Sequence, residues 1–339
     1  MDSLTQIVLG AAVGEAVLGK KVGNKAILWG AIAGTIPDLD IFIRFFTDPI
    51  TSMELHRGFS HSILFSVLLA PFLGWVASKI HYKTTQVNWK DWAKLMFFSL
   101  VTHPLLDAHT NYGTQLFWPL ENRVAYNNIF IADPFYTLPF LGFVIAAMFY
   151  KKENKKRYKI NRVGLVVSSL YMISTLGIKW ATYHHFENSL NEQTIVFNEL
   201  SNQPTALNSF LWSANVKTND AFLVGYYSLF DSANQVDFSI KIPKNHFLLG
   251  DLANKKQVQQ LIKMSKGWYA IEKQEDCLVF NDLRFGFMEV VASSQHPTCV
   301  FSFKLFEDNG ALKVVRNSDG RKGRISEGFS KLCNRIKGN

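Results

Sequence analysis

L-M-F-F-S-L-V-T-H-P-L-L-D-A-H, residues 95–109, is an apolar run that takes in a histidine, a proline and an aspartate before it ends. Such a run suits a membrane helix, where an unpaired polar group costs several kcal/mol. His103 and Asp107 are four apart, so on a helix they share one face and can offer a nitrogen and a carboxylate to one ion. Two other segments repeat the pattern. H-R-G-F-S-H at 56–61 places His56 and His61 five apart, too far for adjacent helical turns, with Gly58 suggesting a loop that turns both imidazoles inward. P-D-L-D at 37–40 supplies Asp38 and Asp40 at a helix end bent by Pro37. Imidazole with carboxylate suits zinc, manganese or iron. Six candidate ligands, Asp38, Asp40, His56, His61, His103 and Asp107, exceed the need of one tetrahedral zinc, so one or two divalent ions are expected.

Outward from these segments, six candidate spans run over roughly 4–19, 24–43, 61–80, 93–111, 129–150 and 163–180. Each is near or below the ~20 residues that cross a bilayer. The first is short and glycine-rich; the fourth and fifth are interrupted by His103, Pro104 and Asp107 and by Asp133, Pro134 and Pro139. Connectors after spans one, three and five carry fourteen Lys and Arg, those after spans two and four only Arg44, Arg57 and Arg123. The positive-inside bias then puts the first set in the cytoplasm and residues 181–339 outside. The candidate ligands were not used in that assignment, yet all fall at the outer ends of their spans. The N-terminus lacks a basic n-region and carries Gln6 and Glu15, so it reads as a retained helix and not a signal peptide.

The chain has 339 residues, 48% apolar and 19% charged, with a formal net charge of +9. Much of the basic charge lies in connectors between apolar runs, which argues for membrane topology and against a nucleic-acid partner. Two domains are expected: a polytopic α-helical membrane domain over 1–180 and a soluble α+β domain with an antiparallel sheet over 181–339. Strand-like runs lie at 221–230, 236–242, 268–272, 277–280, 284–291 and 298–306, with a helix over 251–266. No nucleotide loop and no G-x-S-x-G occurs. The basic R-K-G-R at 321–324 reads as a solvated surface. Cys277, Cys299 and Cys333 have no framework spacing, so one disulfide or three thiols are both open.

Several motifs in order carry a family resemblance: M-D-S-L-T-Q at the start, P-D-L-D, H-R-G-F-S-H-S, H-P-L-L-D-A-H-T-N-Y-G, W-P-L-E-N-R and I-A-D-P. Over about residues 1–150 the chain resembles the YdjM-type family of membrane-bound metal-dependent hydrolases, also described as LexA-binding and inner-membrane-associated. The resemblance implies a metal-dependent hydrolase of the bacterial inner membrane, with His56, His61, His103 and Asp107 at its most distinctive positions. The family often has His where this chain has Gln6, and no ligand is assigned there.

The expected activity is hydrolysis of a phosphoester or other ester, a membrane lipid among the candidates, by a metal-activated water. Arg57 and Arg123 are candidates to stabilise or bind the anion, and Asp133 is a candidate general base or ligand. Each residue also has a plainer role. Asp133 before Pro134 is an ordinary helix start, His109 an ordinary helix–helix hydrogen-bonding group, and Glu15 a structural group. Two other functions fit the same residues. An ion transporter would place polar groups at mid-membrane and on the far side as well. A scaffold or binding protein would hold a structural metal in a closed shell.

Overall fold

A computed structural model describes residues 1–287, 297–308, 311–317 and 325–338, and divides the chain into two compact units. The first comprises Met1–Phe46 and Glu54–Leu176, the second Thr47–Met53 and Gly177–Asn339.

The first unit is helical. Its elements are α1 (Ser3–Val22), α2 (Asn24–Thr35) continued by a 3-10 helix over Ile36–Phe45, α3 (Pro49–Leu55), whose first residues fall in the second unit, a short 3-10 turn at Phe59–His61, α4 (Ile63–Ile80), α5 (Trp89–Asp107), α6 (Pro134–Met148) and α7 (Lys155–Glu192). Helices α1 and α2 form a hairpin through Gly23, which takes φ 61°. They approach closely because glycines face each other. A Cβ on Gly14 would lie 2.9 Å from Gly30 Cα, and one on Gly34 2.8 Å from the Gln6 carbonyl oxygen. The cores on either side contain Val8, Ala11, Ile27, Tyr136 and Phe140, and Leu18, Ala26, Trp92, Leu95 and Leu100. At the Lys-rich end of the unit, Arg157 makes a bidentate pair with Glu15 (2.7 and 2.5 Å), and also donates to Asn24 Oδ1 and the Tyr150 carbonyl. Both side chains are 3% exposed, so this buried pair ties α1, α2, α7 and the turn after α6 together.

Six spans are not supported. Among the described residues, three helices are long and apolar enough to cross a membrane: Asn24–Phe45, Ile63–Ile80 and Lys155–Glu192. The others fail for legible reasons. Helix α1 carries Gln6, Glu15, Lys20 and Lys21; α5 carries Lys90, Asp91, Lys94, His103 and Asp107. Helix α6 has 15 residues, about 22 Å at 1.5 Å per residue, short of a ~30 Å hydrocarbon layer. The expected run 129–150 is helical only from Pro134, and the expected run 163–180 is the middle of a helix of 38 residues.

The second unit holds two four-stranded antiparallel sheets where one was expected. The first is β1 (Glu199–Pro204), β2 (Leu211–Lys217), β3 (Ala221–Ser228) and β4 (Ile240–Pro243), in sequence order. After a 3-10 helix at His246–Asn254 and α8 (Lys256–Ser265) comes the second: β5 (Tyr269–Lys273), β6 (Leu278–Phe287), β7 (Cys299–Asp308) and β8 (Ala311–Arg316). Helix α9 (Ile325–Ile336) follows. Runs 277–280 and 284–287 form one strand, with a register shift between Asp282 and Phe287. Residues 288–291 of that expected run and R-K-G-R at 321–324 lie outside the described residues. Strands β1 and β2, which carry Asn202, Ser213 and Asn215, lie outside every expected strand-like run. In the fold these three residues are buried and bonded, Asn202 to the Lys179 carbonyl and Asn215 to the Leu283 carbonyl.

The core of this unit gathers Leu249, Val258, Leu261, Phe280, Phe303 and Leu305 around Ile50, which belongs to the inserted segment Thr47–Met53 and is 1% exposed. His246, Tyr269 and Phe280 stack in sequence at 3.9 and 4.6 Å. All three cysteines are free thiols, and burial pushes that of Cys299 well above the ordinary range.

Candidate metal centre

Three local structures deliver the polar side chains of the first unit. Pro37 starts the 3-10 helix that carries Asp38 and Asp40. Arg57 adopts φ 57°, rare for a residue with a Cβ, and turns the chain into the Phe59–His61 segment. That turn is held at both ends: Arg57 N donates to Asp40 Oδ2 at 2.9 Å, and its carbonyl accepts from Gln115 N at 3.1 Å. Helix α5 supplies His103 and Asp107, one turn apart.

Asp38, His61, His103 and Asp107 converge, with one donor atom from each within 4.8 Å of the others. His61 Nε2 and His103 Nε2 are 3.1 Å apart. Asp38 Oδ1 lies 3.4 Å from both nitrogens, and Asp107 Oδ2 lies 3.4 and 3.7 Å from them. A tetrahedron with bonds of 2.0–2.1 Å has edges of about 3.3–3.4 Å. The side chains of His61, His103 and Asp107 are 0% exposed and that of Asp38 is 21% exposed, so Asp38 is the edge that faces outward.

The far sides of the imidazoles fix what the near sides offer. His103 Nδ1 lies 2.6 Å from the Gly34 carbonyl, which can only accept, so the proton sits on Nδ1. His61 Nδ1 lies 3.0 Å from Ser60 Oγ and 3.2 Å from Asp40 Oδ2; Ser60 gives its own proton to Asp40, so Nδ1 of His61 is again the donor. This assignment comes from the hydrogen-bond network. It leaves two Nε2 lone pairs and two carboxylate oxygens aimed at one point. Asp107 Oδ2 is buried without a hydrogen bond: Arg57 Nε, 3.0 Å away, is poorly aligned and is itself left unpaired. Four electron-rich atoms at these spacings, each imidazole backed by an acceptor, fit a divalent cation.

The remaining expected residues stand around these four. Asp40 accepts from His56 Nδ1 (2.8 Å), Arg57 N and Ser60 Oγ, so it orients ligands and is not one of the converging donors. His56 is 30% exposed and packs edge-on against Tyr112. The Arg57 guanidinium is buried, donates to Thr110 Oγ1 at 2.8 Å, and lies over Tyr112. Arg123 donates to the carbonyls of His56 and Glu54 at 3.0 and 2.6 Å, clamping the backbone that leads into the turn. Asp133 is brought elsewhere: it caps α6 through Phe135 N and Tyr136 N and accepts from the Tyr171 hydroxyl. His109 Nδ1 pairs with Asn128 Oδ1.

Sequence reasoning passed over Gln6. Its Nε2 donates to Asp107 Oδ1 at 2.9 Å and to the His103 carbonyl at 3.3 Å, so α1 positions the acidic ligand. The amino group of Met1 also contacts Asp107 Oδ1. The available signal was an amide inside an apolar run, at the position of M-D-S-L-T-Q where the resembled family often has His. Neither the curated proteins nor the solved structures contain a match to this chain. The model of one family, described as YdjM inner membrane protein, matches residues 1–186, the stretch that contains every residue of the converging cluster. With more than half of its length matched in that way, this chain belongs to the YdjM inner membrane protein family.

Proposed function

We propose that the chain is a multi-pass, membrane-bound, metal-dependent hydrolase that holds one divalent ion, zinc by preference, between Asp38, His61, His103 and Asp107. The observation that carries this reading is the convergence of two imidazole Nε2 atoms, 3.1 Å apart, with one oxygen each of Asp38 and Asp107 lying 3.4 to 3.7 Å from them. When bound, such an ion supplies Lewis acidity to an ester or phosphoester oxygen and acidity to a water.

The chain's own groups do the rest. Asp40 and the Gly34 carbonyl hold the two Nδ1 protons, so that both Nε2 atoms face inward. Gln6 and Arg57 orient Asp107 from either side. The Arg57 cation beside the cluster is available to a developing anion. His56, with Nδ1 on Asp40 and its ring partly exposed, is placed to carry a proton at Nε2. Sidedness follows the charge bias. Asp38, His61 and Asp107 all lie toward the Lys-poor ends of their elements, and the clusters Lys20–Lys25, Lys79–Lys94 and Lys151–Arg162 lie at the opposite ends. This supports a site and a second unit on the extracytoplasmic face of the inner membrane.

A second reading has one observation in its favour. Four protein donors already close a tetrahedron, as in structural sites. The ion would then pin helices in a binding or scaffold protein, and added phosphate would leave its spectroscopic signature unchanged.

The test is metal content by mass spectrometry on detergent-purified protein, beside a His103→Ala, Asp107→Ala double variant. About one ion per chain, lost in the variant, is expected for a four-donor site. Metal-free wild-type protein, even after zinc, manganese and iron are supplied during purification, would sink the hydrolase.

A further inference from the structure

The 3-10 helix Ile36–Phe45 that delivers Asp38 has three residues per turn, so its side chains fall in three straight lines. One line, Pro37, Asp40 and Ile43, turns inward: Pro37 is buried and the Asp40 side chain is 3% exposed. The second, Leu39, Phe42 and Phe45, is apolar and 53–65% exposed, with the two phenyl rings stacked at 6.2 Å. The third is Asp38, Ile41 and Arg44. It begins at the outward-facing donor of the cluster and ends in a guanidinium, about 12 Å further along the axis at 2.0 Å per residue. Arg44 lies 4.9 Å over the Phe45 ring and has no ion pair or hydrogen bond among the described residues. A similar juxtaposition occurs on the Phe59–His61 turn. There His61 points inward, while Phe59, 42% exposed, packs on Trp118.

An exposed apolar line inside a span faces lipid chains, and an exposed carboxylate or guanidinium beside it is costly there unless a partner satisfies it. We infer that this helix docks an anionic phospholipid, with its chains along Leu39, Phe42 and Phe45 and its phosphate between Arg44 and the Asp38 edge of the cluster. The substrate class is then a membrane phospholipid presented from the bilayer; this rests on the hydrolase reading above. Charge complementarity selects the occupant. Arg44 has no protein anion among the described residues, and an ion at the cluster would neutralise the two carboxylates at the other end of the same line and offer a phosphate oxygen a Lewis-acid edge there. A zwitterionic lipid meets the apolar line equally well but gains less from the one net positive charge, Arg44.

The test reads binding. A Phe42→Trp variant is placed in phosphatidylcholine vesicles containing equal mole fractions of brominated phosphatidylglycerol or brominated phosphatidylcholine. Quenching of the added fluorescence, wild type subtracted, reports the lipid next to position 42. One arginine at the membrane surface predicts about a fivefold preference for phosphatidylglycerol, falling to parity when Arg44→Gln is added. Equal quenching by both lipids with Arg44 intact overturns the inference and leaves ordinary boundary lipid. Metal content of the same preparation separates the two readings: bound ion without lipid preference sinks the docking alone, and preference without bound ion supports the docking and removes the hydrolase.

Discussion

Asp40 illustrates how a carboxylate can matter to a cluster whose converging donors it does not join. It accepts from His56, from Arg57 N and from Ser60, and lies 3.2 Å from the Nδ1 of His61. An Asp40→Asn variant keeps the shape and loses the charge that backs the imidazole. Metal affinity, measured by competition with a chelator, is expected to fall 10–100-fold; an unchanged affinity would show that His61 is oriented without it. At this scale the sequence separated polar from apolar surroundings well. His61, His103, Asp38 and Asp107 are legible from their place in apolar runs. It could not rank Asp38 against Asp40, or His56 against His61, because which of two nearby side chains turns inward depends on the 3-10 geometry and on the left-handed turn at Arg57. Arg123 and Asp133 were read for their charge, but their partners are backbone groups and a hydroxyl that no spacing rule brings together.

Helices α1 and α2 pack through glycine, so their contact tolerates no side chain. Gly30→Leu would drive a Cβ into the Gly10 carbonyl and separate the pair. Overpacking of that kind costs about 1–3 kcal/mol or more, and it would also shift the Gly34 carbonyl that holds His103. A lowered unfolding midpoint in detergent together with weaker metal binding is expected. Gly142→Ala is the control: nothing lies within 4 Å of its added Cβ, so stability should hold or rise slightly. Element type was readable from periodicity and length, but span number was not. An apolar run marks burial, and burial here is shared between lipid and other helices: Trp92, Leu95 and Leu100 of α5 are fully buried by protein. Strands β1 and β2 were missed for the converse reason, since their polar side chains are bonded inside the fold.

Basic residues gather at Lys20–Lys25, Lys79–Lys94 and Lys151–Arg162, and the orientation proposed from that bias predicts an extracytoplasmic second unit. Val196, 82% exposed between α7 and β1, provides a probe. In a background with Cys277 and Cys333 replaced by serine, Val196→Cys is expected to react with a membrane-impermeant maleimide in intact spheroplasts. Reaction only after lysis would reverse the orientation. The family match ends at residue 186, whereas the helix that contains this point runs on to Glu192.

The segment Thr47–Met53 adds a constraint of another kind. The backbone leaves one unit for the other three times, after Phe46, Met53 and Leu176. A chain stopped after Glu192 keeps Ile50 and Met53 but loses the Leu249, Val258, Phe280 and Phe303 side chains that surround them. Such a truncation is expected to aggregate in size-exclusion chromatography, and Ile50→Ser with Met53→Ser to relieve it. In evolutionary terms the second unit is not a module that recombination could append or discard at one junction. Its gain or loss would require a matching change in the seven residues Thr47–Met53, between the segments that carry Asp38 and His61.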